Sequence, residues 1–104
     1  MSVDNKEVID FISVKSNKVY LTISDHLKWS DENHLLLLQD KINAYLETIE
    51  NEQIYEVCPH SLGKSFVIQV ATKYKPNKKA IVFLNEIKTF LKKNNYEFIF
   101  HQFK

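Results

Sequence analysis

A single glycine, Gly63, stands in 104 residues. Glycine is what lets a main chain wrap closely around a phosphate or a cofactor, so no glycine-rich phosphate loop, dinucleotide fingerprint or nucleophile elbow can be written in this chain. Nucleotide enzymes of the usual designs are thereby excluded. With 44% apolar and 26% charged residues, the length suits one globular domain over residues 1–104. Such a domain buries roughly two thirds of its unfolded surface. Cys58 is the one cysteine; it forms neither an internal disulfide nor a CxxC knuckle, which predicts a reduced, cytoplasmic protein. No apolar run approaches the roughly 18 residues that cross a bilayer. Asp4, Glu7 and Asp10 are unlike a signal peptide.

Charge is more informative by region than in total. All 14 basic residues are lysine, against 13 acids, for a net charge of +1. Without arginine's bidentate fork and without a basic excess, nucleic-acid binding is not expected. Residues 1–57 hold 5 Lys and 11 acids, a balance of −6; residues 58–104 hold 9 Lys and 2 acids, a balance of +7. The two halves are expected to neutralise each other across the fold, or else to present a dipolar docking surface.

Periodicity sets the elements. Residues 7–25 are rich in β-branched and aromatic types broken at Ser16–Lys18, which predicts a hairpin. In its second strand Val19, Leu21 and Ile23 alternate with polar residues. Ser30, followed by Asp31 and Glu32, predicts a capped helix start, and Leu35, Leu38, Ile42, Tyr45, Leu46 and Ile49 then form one apolar stripe to about residue 50. Gln53–Val57 reads as a short strand, and Ser65–Lys75 as another, stopped by Pro76. Asn77 caps a second helix whose apolar face is Ala80, Phe83, Leu84, Ile87, Phe90 and Leu91; Asn94 or Asn95 takes the left-handed position that ends it, before a last strand over 96–103. The expected fold is α+β in the order ββαββαβ, an antiparallel sheet of about five strands with both helices on one face. The second sheet face, with Tyr20, Val67, Ile99 and Phe103, is then open.

Asp25, His26, Asp31, Glu32 and His34 make the densest set of ligand-type side chains. Imidazole and carboxylate together suit a divalent metal, for which Asp25, His26 and His34 are the candidates, although their spacing matches no metal motif and capping explains the acids equally well. Cys58 and His60 are a thiol and an imidazole two apart, a pairing used by cysteine hydrolases but not normally between loop neighbours. Trp29 is either an exposed partner anchor or a staple over the first helical turn.

The stretch Ile23-Ser24-Asp25-His26-Leu27-Lys28-Trp29, followed by His34-Leu35-Leu36-Leu37-Leu38-Gln39-Asp40-Lys41-Ile42-Asn43 and Tyr45-Leu46, resembles a family of small bacterial single-domain proteins of unknown function. Ile54-Tyr55-Glu56, Pro59, Gly63-Lys64 and Lys73-Tyr74-Lys75-Pro76 extend the resemblance over nearly the whole chain. It implies a bacterial source and brings no reaction, cofactor or catalytic residue.

The expected function is therefore non-enzymatic: a domain that binds another protein, or itself as a homodimer, without cofactor, nucleic acid or membrane. The acidic outer surface of the first helix is the candidate interface, carried by Trp29, Glu32, Leu36, Leu37, Asp40, Glu47 and Glu50. Small toxin-neutralising immunity proteins are one physical type that fits, because an acidic face can cover a basic one. The alternative is a small-molecule or metal-binding domain built on Asp25, His26 and His34.

Overall fold

The structure, a computed structural model, describes residues 11–30 and 33–102. The predicted hairpin forms as β1 (Phe11–Lys15) and β2 (Lys18–Asp25), paired antiparallel through a turn at Ser16 and Asn17. Ser16 has φ 56°, the positive value that hairpin turns matching strand twist require. A long helix α1 (His34–Glu50), a helical turn α2 (Ile54–Val57) and a 3-10 turn at Pro59–Ser61 lead into β3 (Ser65–Thr72). Helix α3 (Lys78–Lys93) and β4 (Glu97–Gln102) follow.

The fold is α+β, but the expected five-stranded antiparallel sheet is corrected to a mixed one. Among the described residues the sheet has four strands in the order β1-β2-β3-β4, with β3 parallel to both β2 and β4. The error starts at Gln53–Val57. Glu52 takes φ 67° just past α1, and Gln53 N–H donates to the Asn51 side chain, so the chain turns sharply there. Ile54 is then fully buried, plugging the core, and the segment closes as a helical turn. Without a strand at that point, the path from β2 to β3 is a helical crossover, and a crossover joins parallel strands.

Val19, Leu21 and Ile23 of β2, Phe66, Ile68 and Val70 of β3 and Phe98 of β4 are buried against Leu38, Ile42, Tyr45 and Leu46 of α1 and Leu84 and Leu91 of α3. Both long helices thus share one face of the sheet, as successive crossovers of one hand require. On the other face Tyr20 and Ile99 are half-buried and Val67 is fully buried; Phe103 lies outside the described residues.

Helix ends show one success and one correction. Asn77 caps α3 as predicted, its side chain accepting from Ala80 N–H at 2.8 Å, and Asn95 adopts φ 67° beyond the other end. Ser30 does not cap α1. That helix begins at His34, behind Asn33, whose side chain makes no cap hydrogen bond. The reason lies in the His34 ring, which draws the preceding loop back over itself.

Candidate functional site

Alternation along β2 puts Asp25 on the same side as Val19, Leu21 and Ile23, so its carboxylate enters the core at the strand's end. His34, the first residue of α1, meets it there: Nε2 lies 2.6 Å from Asp25 Oδ2, and both side chains are fully buried. The other ring nitrogen, Nδ1, lies 3.0 Å from the Lys28 carbonyl. A carbonyl only accepts, so Nδ1 carries hydrogen and donates; a further proton then sits between Nε2 and the carboxylate. Asp25 Oδ1 accepts from Leu27 N–H at 3.2 Å.

Trp29 closes this joint. Its ring stacks on His34 at 3.9 Å between centroids and 21° between planes, and its Nε1–H donates to the Tyr74 carbonyl at 2.9 Å. The loop between β2 and α1 is thereby tied to the segment after β3. Because His34 is the first residue of α1, Trp29 is the staple over the first helical turn, seated on His34 rather than on Leu35. Trp29→Phe keeps the stack and loses the hydrogen bond, so it is expected to cost about 1 kcal/mol. Trp29→Ala also uncovers His34 and is expected to cost clearly more in urea unfolding followed by circular dichroism; equal losses would refute the stacking role.

The metal reading meets a different geometry. Asp25 and His34 are spent on each other, whereas His26 is exposed. Among the described residues no three His, Cys, Asp or Glu side chains gather to hold an ion, and Asp31 and Glu32 lie outside those residues. Cys58 is unoxidised and half-buried, His60 is exposed, and no hydrogen bond joins them.

A second feature lies between the long helices. On α3, at about 100° per residue, Ala80, Leu84 and Leu91 centre the apolar stripe, with Ile87, Phe83 and then Phe90 progressively off to one side. Burial follows that order: the first three are buried, Ile87 and Phe83 are half-buried, and Phe90 is 57% exposed. Phe83, Ile87, Phe90 and Leu91 face Ile42 and Leu46 of α1 across a groove of about 290 Å³, rimmed by Gln39, Asn43 and Glu86. A continuation of it brings Glu47 and Glu50 to the same Phe90.

Of the interface residues expected from sequence, Glu47 and Glu50 therefore sit at the groove. Leu36 (58% exposed), Leu37 and Asp40 belong to α1 but do not line it, and Glu32 lies outside the described residues. The sequence periodicity puts Phe83, Ile87 and Phe90 on the core face. Their position at one edge of a wide stripe is the signal that separates them from the packed centre.

The model of a family of unknown function, DUF6572, matches residues 1–104. The chain belongs to DUF6572. No curated protein and no solved structure matches it. In this DUF6572 member no helix among the described residues is long and apolar enough to cross a membrane. Lys18 and Glu97 pair at 2.9 Å across the two halves of the DUF6572 chain, but each has the sign opposite to its own half's excess, so this pair does not neutralise the imbalance between them. The hydrogen bond to Glu97, and then its charge, hold the Lys18 pKa above the ordinary 10.5. The pair's contribution is thus fully present below that pH and disappears as pH rises past the raised value; both groups are exposed, so it is small. Burial first, then the Glu50 carboxylate and Tyr55, raise the Tyr96 pKa above 10.0, so its hydroxyl is a donor at neutral pH.

Proposed function

We propose that this protein is a non-enzymatic docking domain whose α1–α3 groove receives a basic amphipathic helix of a partner protein. The observation that carries this reading is Phe90, a phenyl ring 57% exposed at the meeting point of the groove and its acidic continuation. A helix in a groove is read by apolar anchors at helical spacing, and buried aromatic rings dominate such interfaces. The rim selects the partner's sign: Glu47, Glu50 and Glu86 stand around the apolar floor, which favours lysines or arginines flanking the incoming anchors. Two copies would set acidic rim against acidic rim, which argues for a different protein rather than self-docking. An immunity-type protein covering a basic surface is one arrangement of this kind. The single thiol, Cys58, supports a reducing, cytoplasmic setting.

The test uses two synthetic helical peptides about as long as α3, 16 residues, one patterned with leucine and lysine and the other with glutamate replacing every lysine. In a heteronuclear NMR titration, the lysine peptide is expected to shift the amides of Ile42, Leu46, Phe83, Ile87 and Phe90. Phe90→Ala is expected to weaken it by about tenfold or more, and Glu47→Lys with Glu50→Lys to weaken it further. Equal binding of the two peptides, or shifts confined to another surface, would overturn the proposal.

A further inference from the structure

The sheet has an unfilled corner. β2 and β3 are in register from Lys18 and Ser65 onward, but β4 joins only at Val67, which pairs with Glu97. Ser65 and Phe66 therefore lack a β4 neighbour, and a notch of about 530 Å³ opens there. On the helix side of the sheet, Phe66 and Tyr96 give it apolar walls. Above them stand Lys88 and Lys92, one turn apart on the flank of α3 opposite to Phe90.

The polar groups around this notch converge in sign. Neither Lys88 nor Lys92 meets a carboxylate among the described residues. The acid in the lining, Glu97, is already held by Lys18 and adds little repulsion. An apolar hollow of a few hundred Å³ with a few polar groups of one character is the usual form of a small-molecule site. Lysine is a flexible point charge with three donors, suited to a compact anionic group rather than to planar bidentate recognition.

We infer that this notch binds a small amphipathic anion, a carboxylate or phosphate group carried on an apolar body, with Lys88 and Lys92 on the charge and Phe66 and Tyr96 on the apolar part. The site is independent of the docking groove and takes a ligand of the opposite charge. A neutral molecule of the same shape would leave two neighbouring ammonium groups uncompensated, so the headgroup charge sets the affinity.

The probes are decanoate and decyl phosphate, with decanol as the neutral counterpart, titrated into the full chain below their aggregation concentrations and followed by amide shifts. Both anions are expected to move Phe66 and Tyr96, and decanol to bind at least about tenfold more weakly. The double variant Lys88→Gln/Lys92→Gln, whose exposed side chains leave the fold intact, is expected to lose at least about tenfold in decanoate affinity. Phe90→Ala should leave that affinity unchanged, which separates failure of this site from failure of the groove. Equal binding of decanol, shifts confined to the α1–α3 groove, or retention on vesicles of anionic lipid without a response to monomeric decanoate would each overturn the assignment, the last in favour of a membrane surface.

Discussion

Asp25→Ala is expected to destabilise the protein by about 3–5 kcal/mol, the cost of removing one member of a buried hydrogen-bonded pair. For a domain whose whole stability is about 5–15 kcal/mol, that is a large share. The substitution leaves His34 fully buried with Nε2 facing a void, and it frees the Leu27 N–H that Asp25 Oδ1 now accepts. Asp25→Asn is the informative companion. Its amide N–H can donate to Nε2 of a neutral ring whose Nδ1–H still donates to Lys28, while its carbonyl keeps the Leu27 bond. Asparagine is therefore expected to cost no more than about 1.5 kcal/mol. Urea unfolding of the wild type and both variants, followed by Trp29 fluorescence, decides the matter. If alanine costs under about 1 kcal/mol, the pair does not fasten β2 to α1 as argued; if asparagine costs as much as alanine, charge matters and the hydrogen-bond account is wrong.

The second large effect is expected at Phe98. This side chain is 1% exposed although it lies on an edge strand, and it belongs to the one core cluster that both long helices share. Phe98→Ala removes a complete ring from that cluster and is expected to cost about 3–5 kcal/mol. Phe100, tilted against it at 6.1 Å, is only half-buried, so Phe100→Ala is expected to cost about half as much, in proportion to the surface it buries. Denaturant midpoints of the two variants provide the check. Comparable losses would mean that β4 is held by its ladder to β3 rather than by the Phe98 ring.

What could be read in advance depended on whether the deciding interaction was local. The alternation of Val19, Leu21 and Ile23 predicted β2 because a strand's two faces are visible along one short segment. Asn77 predicted the start of α3 for the same reason, since a cap acts on an amide three residues away. Gln53–Val57 was mistaken because four residues around one inward-facing Ile54 fit a strand or a helical turn equally well. That single error changed the direction of pairing, which depends on what connects two strands and not on the strands themselves. At the joint, the sequence placed Asp25 and His34 in one neighbourhood but could not show that each would satisfy the other, leaving exposed His26 outside. The Trp29 stack depends on a loop that closes on Tyr74, 45 positions away. At the groove, Glu47 and Glu50 were legible as an acidic surface, whereas the role of Phe90 appears only once α1 is known to lie beside that edge of α3.

The parallel pairing of β2 with β3 also governs how quickly this chain can fold. The β1–β2 hairpin closes between near neighbours, on the order of microseconds. The β2–β3 ladder instead joins Lys18 to Ser65 and Asp25 to Thr72, so α1 and both short helical turns must be gathered before its first rung forms. Long closures of this kind lose chain entropy before contacts compensate for it, and they slow folding in proportion to their sequence separation. The rate-limiting event is then the seating of β3 beside β2 under α1, because the β3–β4 ladder, from Val67 to Glu97, closes over a shorter stretch of chain. Stopped-flow refolding of Phe98→Ala can register this order: with β4 seated before the slow step, part of its loss belongs on the refolding arm of the chevron, and a loss confined to the unfolding arm would refute it. The folding rate of the molecule is accordingly set at the seam between β2 and β3, the longest closure in the sheet.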